Sequence, residues 1–337
     1  MPNQPQNAAR IAAPAAPGPA GPFAPLPRPR TASGQARRIG VEVEFFGIDV
    51  HAAARALAAG LGGKDVVAED AHAIHIADTS LGRLTVELDL RDVHPQRRHA
   101  NGRRRLSPGM AARLGRVLSP FVPREMITAP LPVHQLEGVD RAIGVLRAAG
   151  AGGKPPFGSL GLHFNVDLPD KEPRTIVAAL KAYMLLSLEA LPQRNLADRL
   201  LAGFRPAHFP DPYVRRVLAP DYWPDPTALT DDYLAANPTR DRGLDLLPLL
   251  LHLDEGRVRA RLPHEKIGGR PVFHYRQPRA RVGEPGWSIA PAWNAWVAVE
   301  ALAQDGEALG ALGQAYLGGG AAAVRRIGPR LGYSSAN

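Results

Sequence analysis

The sequence predicts an α+β fold with a mainly antiparallel sheet, helices on one face and the other face left open as a functional site. Two observations carry this. Four separate stretches are short apolar runs holding two polar residues two positions apart, and helical segments and tight turns separate them. The polar pairs are Glu42/Glu44, Glu87/Asp89, His163/Asn165 and His274/Arg276. Alternate residues of a strand point to the same face, so each pair shares a face and its apolar neighbours share the other.

In order, residues 1–36 are Pro, Ala and Gly with little patterning, which predicts a disordered tail. One catalytic domain follows over 37–330. It opens with a strand at Arg38–Phe46 and a helix over 49–61, capped by Asp49 and stopped at Gly62-Gly63. Short strands are predicted near 66–68 and 72–76, then a turn at Asp78–Gly82 and a strand over 83–90. Residues 91–107 read as an Arg-rich loop, 109–119 as a helix and 122–128 as a strand. An amphipathic helix over 133–149 stops at Gly150, and a strand runs over 160–168. Residues 173–256 read as mostly helical with Pro-rich connections. Strands return at 271–276 and near 286–290, and helices over 293–326 close the domain.

Composition narrows the function classes. Hydrophobic content of 45% suits a folded globular chain, and no apolar run reaches the ~18 residues of a membrane span. Ile11–Ala24 is too broken by Pro and Gly for a secretory signal. With no cysteine, disulfides, thiolate metal sites and Cys nucleophiles are excluded, which fits a cytoplasmic protein. The net charge of +9 invites an acidic partner. However, Arg10, Arg28, Arg30, Arg37 and Arg38 precede the first acid, and Arg97, Arg98, Arg103, Arg104 and Arg105 form a second cluster. Neither is interleaved with aromatics or set on a recognition helix, so both read as solvated tail and loop, and nucleic acid is not the expected partner.

Several motifs fail. Gly150-Ala-Gly-Gly-Lys154 lacks the first Gly and the final Ser/Thr of a phosphate loop and follows a helix. His-Glu-x-x-His, Gly-x-Ser-x-Gly and a dinucleotide fingerprint are absent. His72 and His75 lack a third metal ligand in the sequence pattern.

The polar pairs carry the chemistry. Glu42 and Glu44 sit among Val41, Val43, Phe45 and Phe46, so the strand reads as buried. Adjacent buried carboxylates need a cation or arginines, and hard oxygen ligands suit Mg²⁺; the alternative is an exposed face of an edge strand. Glu87 and Asp89 repeat the pattern, with a salt-bridged or exposed strand face as the alternative. Glu125 is a plausible further ligand beside them. His163 can bond phosphate or orient a carboxylate, or be a satisfied core histidine. Arg276 and Arg270 can hold phosphate or carboxylate bidentately, with Lys266 a weaker candidate.

A series of segments resembles a known family: Ile39–Phe45, Thr79–Asp89, Arg124–Pro132, Phe157–Asn165, Asp221–Arg240 and Arg270–Arg276. The series is similar to the amidoligases of the carboxylate–amine ligase superfamily, alongside glutamine synthetase and glutamate–cysteine ligase. The resemblance implies a fold of that type and an ATP- and Mg²⁺-dependent enzyme. It assigns Glu42, Glu44, Glu87 and Glu125 as metal ligands, and His163, Asn165 and Arg276 to the nucleotide side. The superfamily often has a second His where this chain has Asn165.

The expected reaction joins a carboxylate to an amine through an acyl phosphate, with Arg276 and His163 stabilising charge and Lys266, Arg270 and Asn165 helping to hold ATP. Substrates would be small-molecule or peptide acids and amines, with no membrane partner, and a homo-oligomer is compatible. Two other readings stay open: a metal-dependent phosphoesterase using the same carboxylates, and a non-catalytic scaffold acting through its Arg/Pro tail.

Overall fold

A computed structural model describes residues 21–64, 66–90, 93–94, 106–152, 160–188, 206–265, 267–276 and 278–333. Residues 1–20 of the tail, the 97–105 Arg cluster and Lys266 lie outside the described residues.

Alternating side chains decide how the sheet forms. Ile39, Val41, Val43 and Phe45 of β1 (Arg38–Phe45) are fully buried on one face. Leu84 and Val86 of β4 (Gly82–Leu88), Met126 of β5 (Arg124–Thr128) and Leu162, Phe164 and Val166 of β7 (Leu160–Asp167) are buried too. β2 (Val66–Asp70) and β3 (Ala73–Thr79) extend one side of the sheet, and β9 (Val272–Tyr275) and β8 (Leu244–Asp245) extend the other. The strand order is β2-β3-β4-β5-β1-β7-β9-β8. The short β6 (Leu131–Pro132) and β10 (Arg279–Ala280) pair with β1 and β7, which brings the sheet to ten strands, antiparallel throughout.

Ten α-helices accompany the sheet among the described residues. α1 (Val50–Leu61) begins where Asp49 Oδ1 accepts the Ala52 N–H at 2.8 Å and ends at Gly62, whose φ of 75° favours glycine. α2 (Pro108–Leu118) and α3 (Leu136–Ala148) follow, with α3 packing on α1. α4 (Pro173–Ser187), α5 (Asp211–Leu218), α6 (Pro226–Ala236), α7 (Leu247–Leu253) and α8 (Glu255–Arg261) make the described part of 173–261 mostly helical. α9 (Ala290–Gln304) and α10 (Gly306–Ile327) pack with α4. Trp293 and Trp296 of α9 meet the sheet core edge-on at Phe164 and tilted at Phe273 and Tyr275, with ring centroids 5.3–5.8 Å apart.

The structure corrects two expectations. Residues 21–36, expected within the disordered tail, are placed against the domain. Ala24 N donates to Asn294 Oδ1 at 2.9 Å, Trp293 Nε1 donates to Ala24 O at 2.8 Å, and Leu26 is buried. Side chains of α9 satisfy this extended backbone, so it needs no hydrophobic period of its own. The expected strand near 286–290 is not formed; the helix starts at Ala290, and β10 lies earlier at Arg279–Ala280.

The first Arg cluster is also less solvated than its composition suggests. Arg28 pairs with Asp170 at 2.7 Å and Arg38 with Asp167 at 3.4 Å. Arg37 is buried at the start of β1 and holds Glu300 of α9 through two bonds of 2.7 and 2.6 Å. Glu300 also accepts from Trp296 Nε1 at 2.9 Å, so this pair ties helix layer to sheet. Glu300→Ala leaves Arg37 buried and uncompensated, and urea unfolding should show a loss of about 3–5 kcal/mol. A change within experimental error would mean the pair contributes no net stability.

Candidate active site

Strand register builds the site. Glu42 stands opposite His163 on β7, and Glu44 opposite Glu125 on β5, which in turn faces Glu87 on β4. Farther along, Asn165 of β7 faces His274 of β9, and His274 faces Asp245 of β8. The polar pairs thus become two cross-strand rows joined by Glu42–His163, on the face opposite the hydrophobic core. Glu87, Glu125, His163, Asn165 and His274 are buried, and Glu42 and Glu44 nearly so. An exposed edge-strand face is therefore excluded for all of them.

Glu42 is the best-anchored acid. His163 Nδ1 lies 3.0 Å from its Oε2, and Asn165 Nδ2 donates to its Oε1 at 2.7 Å. Arg270 Nη1 approaches Oε1 at 3.6 Å, and His274 Nε2 lies 4.0 Å from Oε2. Burial alone would raise the Glu42 pKa. The hydrogen bond and charge of His163, with His274 and Arg270, more than reverse that and hold it well below the carboxylate range.

Glu44 accepts the Gly161 N–H at 2.7 Å. That strand position has room for no side chain: a Cβ on Gly161 would lie 2.7 Å from His163 Nε2 and 2.8 Å from Glu44 Oε1. Glu125 lies 3.9 Å from His163 Nδ1. Burial first, then the charges of Glu42, Asp89, Glu44 and Glu87, push the Glu125 carboxyl well up. Asp89 lies just past the end of β4 and is exposed; local desolvation and the charges of Glu44, Glu87 and Glu42 push it up to about 6, against His163. The local protein thus supplies too little positive charge for its acids.

The structure brings together Glu42, Glu44, Glu87, Glu125, His163 and Asn165, and sets Arg270 beside Glu42. Asn165 meets the site as a donor to Glu42, with its Oδ1 buried and unpartnered among the described residues. Arg276 is turned toward backbone: its Nη1 donates to the Arg240 carbonyl, and its Nε is buried without a partner among the described residues.

Sequence reasoning assigned no role to His274 or Asp245. Asp245 Oδ2 sits 3.4 Å from His274 Nδ1, and His274 Nε2 is buried and unpartnered among the described residues. Burial pulls His274 down to about 4, against its bond to the Asp245 carboxylate and the charge of Glu42. A carboxylate on one ring nitrogen and a free second nitrogen is the arrangement of a metal-ligating histidine with its orienting partner. The signal for His274 was present, two positions before Arg276. Asp245 lies on a two-residue strand, too short to show alternation.

Two sets of donor atoms lie within 4.8 Å of one another: Glu42, His163 and His274, and Glu44, Glu125 and His163. They fit a divalent cation by charge and donor type. The second set, with two carboxylates, suits Mg²⁺ or Mn²⁺, and the imidazole-rich first set suits a transition metal.

The family described as Putative amidoligase enzyme matches residues 35–298, which span every site strand. The chain belongs to this family. No curated protein and no solved structure matches it significantly. For an amidoligase-family chain, Gly161 tests the site: Gly161→Ala must push Glu44 and His163 aside, so it should cost about 1–3 kcal/mol of stability and weaken Mn²⁺ binding roughly tenfold, read by calorimetry. Unchanged affinity would show that the Glu44–His163 spacing does not govern cation binding.

Proposed function

We propose that this protein is an ATP- and Mg²⁺-dependent carboxylate–amine ligase, with the glutamine synthetase/glutamate–cysteine ligase-like fold, that forms an amide or peptide bond through an acyl phosphate. The observation that carries the reading is the pair of donor sets sharing His163, buried at the centre of a sheet face with more acid than cation. Membership of the amidoligase family supports a ligase. A cytoplasmic location goes with the need for ATP. No helix among the described residues is long and apolar enough to cross a membrane.

Divalent cations at Glu42, Glu44, Glu87, Glu125, His163 and His274 would neutralise the nucleotide phosphates and polarise the one transferred. The chain's own work is positioning. Asn165 fixes one Glu42 oxygen, His163 the other, and Asp245 fixes the tautomer of His274. Arg270, partly exposed beside Glu42, is placed to meet an incoming carboxylate or phosphate. Its guanidinium would stabilise charge on the γ-phosphoryl oxygens as the substrate carboxylate attacks and ADP leaves. The amine then attacks the acyl carbon, and phosphate leaves with the amine's proton as hydrogen phosphate, giving the amide. Arg276 serves this reading less directly, since its guanidinium holds the Arg240 carbonyl while its backbone N–H holds that of Gly243.

The histidines favour one further reading. His274 with Asp245 adds the His and Asp that two-metal phosphoesterases use. Nucleotide dependence separates the two. Calorimetry should show saturable Mg²⁺–ATP binding by the wild-type protein, lost in Glu42→Gln/Glu44→Gln, with ADP released only when an acid and an amine are both supplied. Phosphoester hydrolysis without nucleoside triphosphate, and no ATP binding, would replace the ligase by the hydrolase.

A further inference from the structure

A cavity of about 750 Å³ lies away from the acids. α4, the end of α9, the start of α10 and the turn before Trp223 enclose it. Its wall includes Phe273, a core-face residue of β9, whereas the neighbouring His274 belongs to the acidic face. The two sites therefore sit on opposite sides of the sheet.

Three cations line the cavity: Arg28, Arg174 and Lys181. Arg28 is matched by Asp170 at 2.7 Å. Among the described residues, no carboxylate oxygen lies within 4.0 Å of the Arg174 or Lys181 nitrogens. Both cations lean on one ring: the Arg174 guanidinium carbon and Lys181 Nζ lie 4.4 and 4.2 Å from the Trp223 centroid. Lys181 is 4% exposed, and its hydrogen bond among the described residues is to Ala219 O at 2.9 Å. An ammonium has three donors, so two are left over. Burial pulls its pKa down to about 8, with Asp221 opposing and Arg174 adding.

A buried cation without a counter-ion is costly, and folds retain one where something else neutralises it. Glu300 cannot, because both its oxygens are held by Arg37. Glu172 and Asp221 are both exposed, and neither places an oxygen within 4.0 Å of Lys181 Nζ. The rest of the wall is mostly apolar, with Ala178, Leu218, Leu309 and Phe273 among its residues, and Thr175, Gln304 and Gln314 add neutral polar groups. The volume lies in the range of small-molecule sites, roughly 300–1,000 Å³.

We propose that this cavity is a second binding site, for a small molecule carrying an oxyanion head, carboxylate or phosphate, on an apolar body. Arg174 and Lys181 receive the head beside Trp223, and the apolar wall takes the body. The site does not depend on the ligase reading, since it shares no residue with the acidic face.

Calorimetric titrations of the full-length protein test this with hexanoate, hexyl phosphate, hexanol and inorganic phosphate. Hexanoate or hexyl phosphate should bind, and the tighter of the two names the head. Hexanol, without the charge, and inorganic phosphate, without the body, should bind at least roughly tenfold more weakly. Arg174→Gln should weaken the anion roughly tenfold. Arg174 is exposed, so this variant folds where Lys181→Met risks not folding. Binding should quench or shift tryptophan fluorescence in the wild type and not in Trp223→Phe. It should persist in Glu42→Gln/Glu44→Gln, which separates it from Mg²⁺–ATP binding. The proposal is overturned if neither anion binds, if hexanol binds as well as they do, if Arg174→Gln has no effect, or if the acidic-face variant abolishes binding.

Discussion

Glu42 must stay ionised where little water reaches it, and the bonds from His163 and Asn165 make that possible. Those bonds require β7 to lie beside β1 with Glu42 opposite His163, and not one residue off. A slip of one position would turn His163 and Asn165 into the core and Phe164 into the acids. The apolar alternation of Val41, Val43, Leu162 and Phe164 forbids that slip, because all four are fully buried on the helix side. Core packing and site chemistry are thus two faces of one register.

Charge is sorted across the sheet. Acids and imidazoles gather on one face, and on the other the Arg37–Glu300 pair and the Arg174–Lys181 cluster sit among helices. The apolar layer between them insulates each imbalance from the other. On the acidic face, raised carboxyl affinities for protons at Glu125 and Asp89 record the same deficit of cations that a bound metal would relieve.

Much of this was legible in the residues. Period-two alternation with Glu, Asp, His and Asn on one phase marked β1, β4 and β7, and it marked the shared face correctly. Register was not legible: nothing local says that Glu125 meets Glu44, or that His274 meets Asn165. Asp245 was missed because two strand residues show no period. Residues 21–36 were read as disordered because they bury little surface of their own; the anchors are Asn294 and Trp293, supplied from far along the chain. Arg276 shows the limit of matching by residue type: its guanidinium is spent on the backbone carbonyl of Arg240.

The sheet order has a consequence for synthesis. β1, β4 and β5 leave the ribosome before β7, and they bring Glu42 and the three acids of the Glu44–Glu125–Glu87 row. His163 follows with β7, but Asp245 and His274 arrive later still, on β8 and β9 at the outer side of β7. A nascent chain therefore displays clustered carboxylates well before it can offer the second imidazole. A cation met at that stage would find oxygen ligands and one imidazole alone, and would exchange until β9 pairs with β7.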